Sequence, residues 1–598
     1  MGLKTIPARI LELGRQRPHD PALYHFENER WSHLTWSEYA DRATAFAAAL
    51  LAHECPSGQG MAIMSDGCPE WLIADVGAMM AGVVPAGVYQ TSTADQVAYI
   101  VAHCEARIFV VQNREIWSRV SSQLMQLTDL KRVVLIEGQA LETEEIVCSF
   151  EDFLAMGSHR ISDVKTRVDA LQDDDLATLI YTSGTTGPPK GVMLSHHNLA
   201  WTAQMLDTAA GGIVDASDCV VSYLPLSHIA EQMFSIYLPA TYGFPIWFAG
   251  SLDRLKDTLV QARPTIFLAV PRVWEKFKTA LETKLNAATG LKSLIINWAR
   301  GVGRHSGPTL FLRGHLEGTL KYKHGLASRL FFKPLTRQIG LDRLKLAVSG
   351  AAPIGRDVLE FFQSCGLLIH EVYGQSEDTG PTSFNRPIGG ERRLGTVGKP
   401  VPGVDVRIAS DGEICVRGPN VFLGYYKDPD ATEATLIDGW LQSGDIGEFD
   451  PDGFLKITDR KKDLLITAGG KNVAPQNIES RLRAISGVSQ AVVIGDRRKY
   501  LSALLTIDAE QLPHLSSVHG WPGEASDCAI DETVRQHIQN AVDGVNETLA
   551  RYEQIKTFSI LPVDFSVEDG QLTPTQKVKR KVVTDMYQAE IEQLYATT

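Results

Sequence analysis

Short apolar runs alternate with longer amphipathic stretches along most of the chain: MAIMS at 61, ARIFVVQ at 106, RVVLIEG at 132, LATLIYT at 176, CVVSYLPL at 219, TIFLAVP at 265 and LKLAVSG at 344. Runs of this kind predict strands buried on both faces of a sheet, and the stretches between them, such as Trp36–Leu51 and Asp253–Ala262, predict covering helices. The most apolar stretch, Trp71–Val88, holds Asp75, Gly77, Gly82, Pro85 and Gly87, so it reads as helix, turn and strand rather than as a membrane span. No segment repeats at a period of roughly 20–50 residues, which argues against a solenoid or propeller.

Beyond residue 395 the texture changes to short strands and tight turns, VDVRIASDGEICVRG and then DPDGFLKITDRKKDLLITAGG, with Asp411-Gly412 and Asp452-Gly453 as hairpin turns. The charge cluster Asp459–Asp463 lies between two strands and marks a boundary. After it come the strands QAVVIGD, LSALLTID and TFSILPVDF of a smaller α+β unit. The expected fold class is α/β: a large N-terminal domain of parallel α/β subdomains with a small β subdomain, residues 1–459, followed by an α+β C-terminal domain, residues 460–598.

With 44% hydrophobic and 22% charged residues and 50 glycines in 598, the composition suits a large globular enzyme and excludes a disordered chain, a disulfide scaffold or a rod. A net charge of −13 argues against nucleic acid as a partner. The eight cysteines are scattered with no CxxC pair, which favours reduced thiols and a cytoplasmic setting, without a structural zinc site. The start, MGLKTIPARILELGRQRP, lacks the apolar core of a secretory signal, and Ile6 stands where myristoylation needs Ser or Thr. One segment runs against the overall charge. Residues 284–337 carry ten Lys and Arg and one acid, Glu317, interleaved with Trp298, Phe311, Phe331 and Phe332. It reads either as a solvated helical insertion or as a peripheral patch for anionic lipid, where each basic side chain adds about 1 kcal/mol.

The strongest chemical signal is LATLIYTSGTTGPPKGVMLSHHN, residues 176–198. An apolar strand runs into a loop in which Gly184 and Gly187 let backbone N–H groups approach phosphate oxygens. Thr182, Ser183, Thr185 and Thr186 add hydroxyls, and Lys190 adds a positive charge. It is not a Walker loop, because Pro188-Pro189 precedes the lysine and Gly191 follows it.

TSGTTGPPKG resembles the phosphate loop of the adenylate-forming superfamily of acyl-CoA synthetases, luciferases and peptide-synthetase adenylation domains, and further motifs follow in that family's order. SYLPLSHIAEQ (222–232) resembles the His-containing acyl-pocket motif; SGAAPIG (349–355) and EVYGQSE (371–377) resemble the adenine-binding pair. SGD (443–445) resembles the ribose-binding motif, DRKKDLLITAGGKNVAPQNIE (459–479) the hinge and the loop behind it, and LTPTQKVKR (572–580) the catalytic-lysine motif. The basic insertion, SYLPLSHIA and the ending ILPVDF…LTPTQKVKRK look most like long-chain, bubblegum-type fatty acyl-CoA synthetases.

The resemblance implies a fatty acid–CoA ligase working through acyl-AMP, with ATP, Mg²⁺ and CoA. Glu377 would hold Mg²⁺ with Thr182 as partner, since hard cations take oxygen ligands. Gly350, Ala351 and Ala352 would leave room for adenine or acyl chain; Glu371, Tyr373, Gly374, Gln375 and Ser376 would complete the nucleotide pocket, with Tyr373 offering an aromatic face. Asp445, after Ser-Gly at the end of a hairpin, would accept both ribose hydroxyls, and Arg460 would contact ribose or α-phosphate. Lys577 would be the adenylation lysine; its neighbours Lys579, Arg580 and Lys581 receive no role. His228 would line the acyl site or position the carboxylate. In some long-chain relatives a Trp four residues after that His gates the acyl tunnel; here the position is Gln232. The C-terminal domain would be mobile, turning about Lys462 to replace Lys577 with the GGKNVAP loop, in which Gly470 and Lys471 would help receive CoA. Rival readings are a fatty acyl-AMP ligase that loads a carrier protein and a non-catalytic acyl- or nucleotide-binding regulator.

Overall fold

The computed structural model describes residues 3–141, 144–182, 188–468, 471–573 and 577–596. The chain divides into two compact units, one of Met1–Ala351, Glu360–Arg407 and Cys415–Gln442, the other of Ala352–Leu359, Ile408–Ile414 and Ser443–Thr598.

The first unit is built on an eight-stranded sheet. From one edge its strands are Gly424–Tyr425, Lys190–Ser195, Leu176–Thr182, Val84–Gly87, Gly60–Met64, Ile108–Val111, Arg132–Leu135 and Val147–Ser149. From Leu176–Thr182 to Val147–Ser149 all neighbours pair parallel, as the apolar runs lead one to expect. The other edge departs from the parallel expectation: Lys190–Ser195 returns antiparallel to Leu176–Thr182. The connection 183–189 is too short for a parallel crossover, which takes a dozen or more residues. One face of the sheet buries Phe109, Val111, Trp117, Val133 and Leu179 in a single cluster.

Trp71–Val88 does divide as its glycines and proline suggest. The helix Pro69–Ala81 stops at Gly82, whose φ of 75° is left-handed, and Val84–Gly87 enters the sheet. Among the described residues no helix is long and apolar enough to cross a membrane.

Two smaller sheets complete this unit. One orders Val220–Ser222, Ile246–Phe248, Pro21–Glu27 and Arg30–Thr35; the other orders Ile266–Ala269, Leu346–Ser349, Ile369–Tyr373, Ser383–Phe384 and Lys399–Pro400. The basic segment is helical, with helices Gly290–Arg313, Gly318–Ala327 and Lys333–Gln338.

The second unit centres on three strands, Val488–Ile494, Leu501–Ile507 and Ile555–Ile560, whose core includes Leu482, Val493, Leu505, Trp521, Ile538 and Phe558. Lys577 sits on a hairpin. Thr573 N–H donates to the Lys577 carbonyl (2.7 Å), Lys577 N–H to Thr573 Oγ1 (3.0 Å) and Lys579 N–H to the Gln571 carbonyl (2.7 Å). The next residue anchors it: the Arg580 guanidinium donates to Glu479 Oε1 (2.6 Å) and to the Val493 carbonyl (2.8 Å), with 19% of its side chain exposed. Glu479 Oε1 also accepts from Val493 N–H (2.8 Å), so helix Pro475–Arg483, the central sheet and the hairpin meet at one ion pair. Arg580→Ala would strand a buried carboxylate and should destabilise this unit by about 3 kcal/mol. Arg580→Ala/Glu479→Ala should recover much of that loss, and denaturant titration of both variants reads the difference.

Candidate active site

At the end of strand Leu176–Thr182, Thr182 is paired with Lys190 across the antiparallel register. The Lys190 ammonium lies 4.8 Å from the centroid of the Tyr425 ring and 3.9 Å from Asp428 Oδ2. The Tyr425 hydroxyl donates to Glu377 Oε1 at 2.8 Å. Burial pushes the phenol pKa up, and the Glu377 carboxylate pushes it further, so Tyr425 stays a neutral donor. Three of the expected residues, Thr182, Lys190 and Glu377, are thereby linked through Tyr425, which the sequence reading passed over. The signal available was FLGYYKDPD, whose Gly424-Tyr425 pair forms the sheet's edge strand.

Glu377 sits on a single 3₁₀ turn, Ser376–Asp378, held from both sides. Gln375 N–H donates to Asp378 Oδ1 (2.8 Å), Asn420 Nδ2 to the Asp378 carbonyl (3.1 Å), and Phe422 N–H to the Glu377 carbonyl (2.9 Å). Thr382 Oγ1 also donates to Asp378. Gly374 is required here, because a Cβ at that position would lie 1.4 Å from the Gly380 carbonyl oxygen. Glu377 and Thr182 offer the carboxylate and hydroxyl oxygens that suit a hard divalent cation, with phosphate and water to complete its shell.

The expected adenine pair shares one sheet. Strand Leu346–Ser349 runs parallel to Ile369–Tyr373 with Ser349 opposite Glu371, and a Cβ on Gly350 would meet Val372 Cγ1 at 2.6 Å. Ala351 has φ 68°, a left-handed conformation that costs a non-glycine residue roughly 1–3 kcal/mol. Burial pushes the Glu371 carboxyl up to about 8, an amide from Gly395 partly offsetting it, and Glu371 Oε2 has no hydrogen-bond partner among the described residues. Tyr373 is 8% exposed. Ala352 belongs to the other unit.

His228 caps the short helix Ile229–Gln232, its Nδ1 accepting from Ala230 N–H at 3.2 Å, which leaves Nε2 as the protonated nitrogen of the neutral ring. Gln232 is fully buried and pinned: Nε2 donates to the Leu226 carbonyl (2.8 Å), and Oε1 accepts from the Tyr237 hydroxyl (2.6 Å). The helix then passes through a π turn at Met233–Tyr237, a distortion that recurs at functional sites. Phe234 and Leu238 from this segment close an apolar cavity with Leu206, Val348, Val372 and Phe384. At about 20 Å³ it has room for one water.

In the second unit Asp445 lies mid-strand rather than at a hairpin end, because Trp440–Phe449 continues past it to the turn at Asp452-Gly453. Its cross-strand partner is Arg460, with Nε 3.2 Å from Asp445 Oδ1. Lys462 is exposed in the following turn, while its neighbour Lys461 bonds Asp411 and Glu413, each at 2.7 Å. Lys471 N–H donates to Thr467 Oγ1 at 3.1 Å. Ser183, Gly184, Thr185, Thr186, Gly187 and Gly470 lie outside the described residues.

Residues 12–426 match the family model described as AMP-binding enzyme, and residues 462–598 match that of the AMP-binding enzyme C-terminal domain. The chain belongs to the AMP-binding enzyme family. It is 37% identical to the long-chain-fatty-acid–CoA ligase ACSBG2 of Gallus gallus, over 96% of this chain and 79% of that protein. It is 35% identical to the long-chain-fatty-acid–CoA ligase FadD15 of Mycobacterium tuberculosis, over 99% of this chain and 97% of that one. The fold matches the anthranilate CoA ligase AuaEII in complex with anthranoyl-AMP at a TM-score of 0.73 and 20% identity, covering 99% of this chain and 98% of that one.

Within this family member, the loop that ends in His228 is braced from beneath by Glu231. That carboxyl is buried, accepts from Ser235 Oγ at 2.6 Å, and is pushed up from 4.5 to about 7 by burial, with nearby Ser222, Ser235 and the Leu224 and Tyr223 amides partly offsetting the shift. The folded state then holds a proton that the unfolded chain has already lost, so this group's stabilisation is complete below about pH 4.5 and disappears as pH rises through about 7. Glu231→Gln should flatten the fall in stability across that window, where one extra bound proton is worth at most about 1.4 kcal/mol per pH unit. Urea midpoints measured from pH 5 to 8 on both proteins check it.

Proposed function

We propose that the chain is an AMP-forming long-chain fatty acid–CoA ligase. In the first step a fatty-acid carboxylate oxygen attacks the α-phosphorus of ATP, the bond to the β-phosphate oxygen breaks, and acyl-AMP and pyrophosphate form. In the second, the CoA thiolate attacks the acyl carbon, the acyl–phosphate bond breaks, and acyl-CoA and AMP leave. The observation that carries this reading is the Lys190–Tyr425–Glu377 linkage at the end of the strand Leu176–Thr182. It supports the reading because it holds a cation and a carboxylate close together, as a triphosphate and its metal would need before charge develops. The full-length relatives named as long-chain fatty acid–CoA ligases support the acid and the thiol.

Mg²⁺ held by Glu377 and Thr182 would offset triphosphate charge; Asp445 and Arg460 would take the ribose. Domain 460–598 would be the mobile one, pivoting at Lys462, with Lys577 serving adenylation and the loop around Lys471 serving CoA. All eight cysteines are free thiols, which supports a cytoplasmic setting, and the basic segment 284–337 supports peripheral contact with a membrane.

With palmitate, ATP and CoA, the products should be AMP, pyrophosphate and palmitoyl-CoA; ADP and orthophosphate would overturn the reading, and failure of CoA as acceptor would favour carrier-protein loading. Lys577→Ala should lower pyrophosphate exchange at least about a hundredfold while sparing thioester formation from supplied acyl-AMP. Lys462→Pro should do the reverse, and equal loss of both half-reactions in either variant would remove that residue's assigned role.

A further inference from the structure

Among the described residues two arginines are buried, Arg9 at 8% and Arg392 at 5% exposure. The charge of Arg392 is accounted for: its guanidinium donates to the Leu310 carbonyl (2.8 Å) and to the Phe311 carbonyl, at the negative end of helix Gly290–Arg313. Arg9, on helix Ile6–Gln16, has no such compensation. Its Nη1 donates to Thr241 Oγ1, whose own hydrogen goes to the Tyr237 carbonyl (2.6 Å). Its Nη2 donates to the Ala200 carbonyl (3.3 Å), inside helix His196–Ala210 rather than at the C-terminal end. Both acceptors are neutral. The Tyr242 phenol beside Arg9 is kept protonated by burial and by the Asp207 carboxylate, so it brings no charge either. A buried cation without a counter-charge is costly, and packing alone would favour an apolar or amide side chain there.

Arg9 also lines an open groove of about 440 Å³ bordered by helices Ile6–Gln16, His196–Ala210 and Leu238–Tyr242. Its walls are mainly polar, with Lys4, Glu12, Gln16, Gln204 and Thr241 around Arg9. Among the described residues Glu12 is the groove's one carboxylate. It is already taken by Lys4, at 2.7 and 2.9 Å, and by Gln16 Nε2, at 3.0 Å. The uncompensated charge of the groove is therefore that of Arg9. A guanidinium carries five N–H donors, and the two spent on Thr241 and Ala200 leave three for an occupant.

We propose that this groove is a binding site for a small organic oxyanion, a phosphate monoester or a carboxylate, held by the Arg9 guanidinium. The planar fork of N–H donors matches either group, and the ligand brings the counter-charge that the fold withholds. The Gln16 and Gln204 amides are exposed on the same walls and suit a polar body. The volume admits a compact molecule, and the polar walls exclude an acyl chain. No lining residue belongs to the candidate active site, so the two sites are separate and this one stands independently of the ligase reading.

The test is isothermal titration calorimetry of the full chain with glycerol 3-phosphate and, separately, with glutarate. Saturating AMP is present in both titrations to fill the nucleotide site. At least one probe should bind at one site per chain, and the tighter of the two identifies the oxyanion. Gln204→Glu puts a carboxylate on an exposed part of the wall and should weaken binding at least about tenfold, whereas Gln204→Lys should hold or tighten it. Arg9→Gln removes the cation and should also cost at least about tenfold. Circular dichroism checks that each variant is folded; if Arg9→Gln is not, the opposite signs expected of the two Gln204 variants decide. No heat with either probe, displacement of the probe by AMP, or affinity indifferent to the charge at position 204 would each overturn the proposal.

Discussion

The Tyr425 phenol does the work on which the rest of the candidate site depends. It lies under the Lys190 ammonium with its ring face and donates its hydroxyl to Glu377 at 2.8 Å, so one side chain touches both a carboxylate and a cation that also lies 3.9 Å from Asp428 Oδ2. Burial and the Glu377 carboxylate push the phenol pKa up, so the bridge is a neutral donor. Its position is fixed by the edge strand Gly424–Tyr425, which pairs with Met193 and Val192.

Much of this was legible before any coordinates, for a physical reason. Buried parallel strands demand apolar runs, and backbone that approaches phosphate demands glycine, so 60–64, 108–111, 132–135 and 176–182 announce themselves locally. What could not be read is contact between residues distant in sequence. FLGYYKDPD signals an edge strand at Tyr425, but not its contact with Glu377, 48 residues earlier. Arg580, read as one of three undistinguished tail cations, anchors the hairpin of Lys577 to Glu479, 101 residues away. Asp445, expected after Ser-Gly at the end of a hairpin, lies within a strand whose ladder pairs it with Arg460.

The Arg580–Glu479 pair also bears on how one protein runs two reactions. It joins the Lys577 hairpin to the helix Pro475–Arg483, which begins directly behind the loop assigned to CoA. The two catalytic edges of the C-terminal unit would then move as one body, so that withdrawing the lysine and presenting the loop become a single event rather than two independent ones. Lys461, bonded to Asp411 and Glu413, ties its turn to the same unit, while the neighbouring Lys462 is exposed.

The acyl side obeys a different constraint. Gln232 is held by Leu226 and Tyr237 and cannot move without stranding buried polar groups, each worth about 1–3 kcal/mol when unpaired. The neighbouring cavity of about 20 Å³ is walled by apolar side chains instead. Phe234, in the π turn, is the wall side chain next to irregular backbone, where the ordinary helical hydrogen-bond ladder is already interrupted. Rotating an apolar ring there strands no donor or acceptor.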